Sequence, residues 1–208
     1  MAHLPFSSLL AMPQLKLTYF THPGRAEITR LAFTAAGISF EDERVTNFPA
    51  LKPTLPLGQL PVLTVDGAEY PQSMAIARYA ARVGGFYPSD PLQALKVDMV
   101  VDTLQDLAGP IMEIMMRTPD EKEKAEKTKV VEETTLPRVF GFIESRIEGK
   151  FLLGEELSLA DLYVFNIHSY VVLRLFPTYD FSAYPKIAAI VGHVKLLPRI
   201  AAYIAKKP

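Results

Sequence analysis

The sequence predicts an α/β domain built on a mixed four-stranded sheet, followed by an all-helical domain. Three observations carry that reading: a strand-helix-strand pattern starting at Gln14, a hairpin signal at Asp66-Gly67, and apolar spacing at period 3.6 with no strand pattern from Pro91 onward. In the first strand, LKLTYF, Leu15, Leu17 and Tyr19 alternate onto one face. Ile28, Leu31, Ala32 and Ala35 then recur at helical spacing until Gly37 closes the helix. Phe40 to Val45 reads as a weak strand, and the helix before it implies a parallel, right-handed crossover. Val62 to Val65 and Ala68 to Tyr70 flank the Asp-Gly turn and should pair antiparallel, after which Gln72-Ser73 opens a helix. The expected boundaries are a disordered leader over residues 1–11, the α/β domain over 12–85, a linker over 86–91 and the helical domain over 92–208.

The helical half carries the clearest local folding signal. In Leu157-Ser158-Leu159-Ala160-Asp161-Leu162, Ser158 and Asp161 can form a capping box while Leu157 packs on Leu162, which reads as a buried helix nucleus. The charged run from Asp120 to Glu133 alternates in sign without bulky apolar partners, so it reads as a solvated helix or loop.

Bulk properties exclude several classes. At 208 residues, about half of them hydrophobic, the chain can build a core without staples. A formal net charge of −1 offers no field for nucleic acid or for an anionic membrane surface. The absence of cysteine removes disulfides and thiolate catalysis, so any thiol chemistry must use a sulfur brought by the ligand. The four histidines are scattered with no pair at ligand spacing, and no metal is expected. The first eleven residues lack a basic region and a long apolar run, and a cytoplasmic location is expected.

Two places suit small anions. Tyr19 ends a strand and is followed by Thr21-His22-Pro23-Gly24-Arg25, which brings a phenol and a guanidinium close together. Ser73 begins a helix, where free backbone N–H groups favour a carboxylate. Taken singly, each has a bland reading: Tyr19 a core tyrosine, Arg25 a surface charge, Ser73 an ordinary cap. Asp98, Asp102 and Asp106 share one helix face and repel unless something opposes them.

The order of these parts, with the runs KLTYF, GRAEITR, TLPLGQLPVL, VDG, QSMAIARY and VDTLQD, resembles the cytosolic glutathione transferases from Met12 to Pro208. Within them it is similar to the sigma class, which includes glutathione-dependent prostaglandin D synthases. The resemblance implies a thioredoxin-like N-terminal domain, an all-helical C-terminal domain and glutathione as co-substrate. It implies that Tyr19 donates to the glutathione sulfur, that Arg25 reinforces the anion, and that the main chain of Leu60, before a cis Pro61, pairs with the cysteinyl part. Gln72 and Ser73 would hold the γ-glutamyl carboxylate, and Lys52 with Gln59 the glycine end. Phe48 stands where relatives often have a tryptophan. Asp106 would cross a homodimer axis to the partner's glutathione. Some prostaglandin D synthases carry an acid before that position and bind a divalent ion; here the pair is Gln105-Asp106. Ile111, Met112, Met115 and Met116, along a long helix, are candidates for the pocket of a hydrophobic electrophile, with core packing as the competing reading. The expected activity is conjugation of glutathione to electrophiles. The alternatives are isomerisation of a prostaglandin endoperoxide and a non-catalytic binding or structural role such as that of the lens crystallins.

Overall fold

The computed structural model describes residues 13–206, so the leader expected over residues 1–11 lies outside the described residues. Strand β1 (Leu15–Phe20) is central, and Leu15, Leu17 and Tyr19 are buried as their alternation requires. The helix α1 (Glu27–Ala36) ends where Gly37 takes a left-handed conformation, φ 71°, and its N–H returns to the carbonyls of Phe33 and Thr34. Strand β2 (Glu41–Val45) begins one residue later than the sequence pattern suggests and pairs parallel with β1. It is an edge strand of mostly charged residues, which is why its pattern is weak. A short helix, α2 (Phe48–Leu51), leads toward β3 (Val62–Val65), which pairs antiparallel with β1 and, through the Asp66-Gly67 turn, with β4 (Ala68–Pro71). The strand order β2-β1-β3-β4, with α1 and α3 (Ser73–Val83) packed together, is the thioredoxin-like arrangement.

The second half is mostly helical: α4 (Pro91–Gln105), α5 (Ala108–Met112), α6 (Glu121–Val130), α7 (Leu136–Arg146), α8 (Leu159–Ile167), α9 (Leu173–Leu175), α10 (Pro185–Lys195) and α11 (Pro198–Ala205). Buried α8 is the hub, in contact with α1, α4 and α10. Its start follows the capping-box reading: Asp161 accepts from the Ser158 amide at 2.8 Å and hydroxyl at 2.6 Å, and its other oxygen takes the Leu152 amide. Burial pushes the Asp161 carboxyl above its usual range, and these donors oppose the shift. Helix α6 is solvated, as its charges suggest.

The expected long helix after the linker is broken. Helix α4 stops at Gln105, short α5 follows, and Glu113–Arg117 winds as a π-helical turn. Pro110 has no N–H to return to the carbonyl four residues earlier, which removes a rung at the break.

Several bonds clasp the two halves. Arg78 of α3 donates to Asp98 at 2.7 Å and to Asp102 at 2.6 Å, and Tyr87 donates to Asp98 at 2.6 Å. The acidic stripe on α4 is therefore opposed by a guanidinium from the other half. The Phe86 carbonyl accepts from the Leu159 amide, so the connecting segment is tied to α8. Among the described residues no single helix is long and apolar enough to cross a membrane. Helices α10 and α11 pass that test only as a pair bent by 80°, and Ile187, Ile190, Val194 and Ile200 on them are buried in the core.

Candidate active site

Strand register assembles the site. Thr18 lies opposite Val62 on β3, and Val62 opposite Pro71 on β4. The next position on each strand extends that row, which brings Tyr19, Pro61 and Gln72 to one end of the sheet. The Leu60-Pro61 bond is cis. Gln72, at φ 79°, turns the chain from β4 into α3 and leaves Ser73 as its first residue. The Ile76 amide makes the first intrahelical bond, to the Gln72 carbonyl at 3.0 Å, so the amides of Ser73, Met74 and Ala75 precede the hydrogen-bonded ladder. An anion there meets free N–H groups and the positive end of the helix dipole.

The other wall is the turn after β1. Tyr19 is buried, and its hydroxyl oxygen accepts from the Arg25 amide at 3.0 Å. Gly24, at φ 45°, makes this approach possible, because a Cβ there would run into the Tyr19 hydroxyl and the His22 imidazole. His22 stands edge-on to the Tyr19 ring at 5.4 Å. Burial lowers the His22 pKa first, and the charges of Arg30, Arg174 and Arg44 lower it further. The imidazole is thus biased toward its neutral form.

Lys52 follows α2, and its aliphatic stem lies within about 3.5 Å of where a Cβ on Gly58 would be, beside Gln59. The structure thus brings Lys52 and Gln59 near one another, both exposed. Phe48 packs edge-on against Phe20 at 5.2 Å and so contributes an apolar face. Asp106 stands apart: it ends α4, its side chain is more than half exposed, and its ion-pair partner within the chain is Arg138, at 3.7 Å.

The candidate electrophile wall divides. Ile111 and Met115 share a cleft of about 250 Å³ with Ile114, Lys124, Thr128, Leu175 and Phe176, and Met112 and Met116 do not line it, although all three methionines are exposed. Sequence reasoning passed over Tyr163, whose hydroxyl accepts from the side-chain amide of Gln105. Burial pushes the Tyr163 phenol up to about 12, while the Arg25 charge opposes the shift, so Arg25 faces the helical half from across the domain boundary. Position Tyr163, inside the buried run after the capping box, reads as core and gives no separate signal. Among the described residues no three His, Cys, Asp or Glu side chains converge to hold a metal ion.

A buried phenol that accepts from the Arg25 amide and an open helix start meet at one end of a thioredoxin-like sheet, beside a helical second half. The glutathione S-transferase N-terminal domain family matches residues 15–82, and its C-terminal counterpart matches residues 105–207. The chain is 37% identical over 202 residues to a hematopoietic prostaglandin D synthase of Gallus gallus, covering 95% of this chain and 98% of that one. It is 38% identical over 161 residues to glutathione S-transferase 3 of Caenorhabditis elegans, covering 74% and 78%. Its fold matches a prostaglandin D synthase of Nilaparvata lugens at a TM-score of 0.86, with 33% identity and coverage of 94% and 99%. It also matches a monomeric glutathione S-transferase of Necator americanus at a TM-score of 0.81, with 34% identity and coverage of 94% and 98%. The chain belongs to the glutathione S-transferase family, and it is a glutathione transferase.

Proposed function

We propose that this protein conjugates the glutathione thiolate to hydrophobic electrophiles as a cytoplasmic, homodimeric detoxification enzyme of the sigma class, with Tyr19 as the thiolate-stabilising donor. The observation that carries this reading is the row Tyr19, Pro61, Gln72 at one end of the sheet, with the Arg25 amide on the phenol oxygen. Tyr19 already accepts from Arg25 and keeps its own proton to give to sulfur. A hydrogen bond to a charged group contributes roughly 1.5 to 3 kcal/mol. At about 1.4 kcal/mol per pKa unit, that lowers a thiol pKa of about 8.5 by roughly one to two units. The thiol proton leaves to solvent, and the thiolate forms the new C–S bond, with halide leaving from an aryl halide or, at an enal, the C=C π pair moving to the α-carbon, which takes a proton from solvent.

Residues 12–85 form the glutathione domain and residues 92–208 the helical domain in this reading. The amides and hydroxyl at Ser73, with Gln72, bind the γ-glutamyl carboxylate, and the Leu60 main chain binds the cysteinyl part. Lys52 and Gln59 bind the glycine carboxylate, where Phe48 offers no donor. The partner subunit's Asp106 reaches the γ-glutamyl ammonium. Ile111 and Met115 form the apolar wall. Location in the cytoplasm is supported by a chain without cysteine.

A second reading, isomerisation of a prostaglandin endoperoxide with glutathione returned unchanged, is what the names of the prostaglandin D synthases among the relatives suggest. A steady-state screen with glutathione against aryl halides, enals, organic peroxides and the endoperoxide decides between them. Conjugates formed in proportion to glutathione consumed support the first; product without glutathione loss supports the second.

A further inference from the structure

Behind the phenol of Tyr19 lies a charge cluster to which the proposed glutathione site assigns no role. Arg30 and Glu27, one turn apart on α1, are both fully buried. Nη1 of Arg30 donates to the Pro23 carbonyl at 3.1 Å and stands 3.3 Å from Glu27 Oε2. Its Nε donates to Asp42 Oδ1 on β2 at 2.9 Å, and the second oxygen of Asp42 takes Arg44. From the far end of the chain, Tyr203 of α11 donates to Glu27 Oε1 at 3.0 Å. Burial raises the Tyr203 pKa, so this hydroxyl stays a donor throughout the working range of pH.

Two details tie the cluster to Tyr19. The guanidinium carbon of Arg30 lies 5.6 Å from the centroid of the Tyr19 ring, within the range of about 6 Å at which a cation and an aromatic face attract. Its Nη2 has no hydrogen-bond partner, although it is buried, so the guanidinium is not used up by hydrogen bonds. The carbonyl that Arg30 holds, Pro23, belongs to the turn whose next residues are Gly24 and Arg25, and the Arg25 amide donates to the phenol oxygen.

We infer that Arg30 is a positioning residue for Tyr19, pinning the turn that aims the Arg25 amide at the phenol oxygen and setting a buried positive charge against the ring. The pinned turn fixes where the hydroxyl proton can point. Helix α11 joins the device through Tyr203, which holds the Glu27 carboxylate that Arg30 shares. The inference rests on Tyr19 being the thiolate donor.

Arg30→Lys tests it, because lysine keeps a buried cation for Glu27 but lacks the planar fork that reaches Pro23 and Asp42 together. Three quantities are measured: the ultraviolet titration of enzyme-bound glutathione thiolate, kcat for an aryl halide, and KM for glutathione. In the variant the thiol pKa should rise by about half a unit to one unit and kcat near neutrality should fall roughly three- to tenfold. KM for glutathione should stay within about twofold, since the carboxylate cradle on α3 is untouched. A purely structural role would lower thermal stability without moving the thiol pKa. A folded Arg30→Lys enzyme with the native thiol pKa and native kcat overturns the inference. If Arg30→Lys does not fold, Tyr203→Phe carries the test: a raised thiol pKa supports the inference and an unchanged one overturns it. Failure of the underlying reading looks different, because Tyr19→Phe would then leave the thiol pKa unchanged.

Discussion

The Arg25 amide stands 3.0 Å from the Tyr19 hydroxyl oxygen and donates to it, so the phenol accepts from its own chain and has its proton free for another acceptor. Tyr19→Phe keeps the ring and its packing but removes both roles. The Arg25 amide then loses its partner, at a cost of about 1 kcal/mol in stability. Turnover should fall by roughly one to two orders of magnitude, and the pKa of bound glutathione should rise by about one to two units. Thiolate absorbance and kcat measured across pH check this, and unchanged values would falsify the assignment of Tyr19.

Gly24→Ala should damage the site without touching a ligand group. The left-handed conformation costs an alanine roughly 1 to 2 kcal/mol, and its Cβ meets the Tyr19 hydroxyl and the His22 ring. Displacing the phenol should lower kcat at least about tenfold, the equivalent of about 1.4 kcal/mol in barrier. Thermal melting together with kcat reads both effects, and a stable variant with native kcat would mean that the turn does not set the phenol.

Ser73 is the first residue of α3 and not its cap, which is Gln72, and no side-chain cap bond is made there. The cap expected at Ser73 is therefore absent, and a carboxylate site can be tested at it directly. Ser73→Ala leaves the free amides of α3 to hold the carboxylate and should raise KM for glutathione about three- to tenfold, as expected for losing one ordinary hydrogen bond of about 0.5 to 1.5 kcal/mol. Ser73→Asp places a negative charge against the γ-glutamyl carboxylate and should do far worse, although aspartate at a helix start does not harm the helix. Glutathione titration of a well-folded Ser73→Asp protein settles the point; native affinity would move the ligand elsewhere.

Asp106 has an intrachain neighbour, Arg138, at 3.7 Å, in an exposed pair that contributes little to folding. Asp106→Ala should therefore melt like the wild type yet bind glutathione more weakly, by about tenfold or more if the bond to the ammonium is partly desolvated. Sedimentation and titration together check it. A monomer that binds glutathione normally would remove the cross-subunit role, and the monomeric relative of Necator americanus makes that measurement worthwhile.

Burial lowers the His168 pKa, and its ring packs on Phe181 at 4.5 Å. The folded state thus holds the proton less tightly than the unfolded chain. The stability this gives is present above the ordinary histidine pKa of about 6.5 and is lost as pH falls. Lowered His22 acts in the same direction. The drop in Tm between about pH 7 and about pH 5 should be smaller in His168→Gln than in the wild type. Calorimetry at the two pH values measures it, and an equal or larger drop would contradict the assignment.

What was legible in the sequence was local. The alternation in LKLTYF, the Asp66-Gly67 turn and the Ser158 capping box each act over a few residues, and the structure contains all three. The cluster around Arg30 was not legible, because Glu27 and Arg30 are ordinary charges on a helix until distant partners arrive. Asp42 comes from twelve residues away and Tyr203 from the C-terminal helix. The stripe Asp98, Asp102, Asp106 was visible as a repulsion, but its counterion Arg78 sits in the other half. The candidate electrophile wall was the least legible, since along the broken segment around Pro110 Ile111 is buried while Met112, Met115 and Met116 are all exposed, and Ile111 and Met115 line the cleft whereas Met112 and Met116 do not.

The Arg78 clasp has a consequence for selectivity. A hinge between the halves would have to pull a single guanidinium away from two carboxylates at 2.6 and 2.7 Å and free Asp98 from the Tyr87 hydroxyl as well. If these bonds hold the halves in one arrangement, the gap between the end of the sheet at Tyr19 and the helical half acts as a gauge rather than a closing jaw. Admission of one electrophile over another is then decided by the size of the side chains facing the gap, and changing what this protein accepts is a matter of re-cutting those side chains while leaving the joint alone.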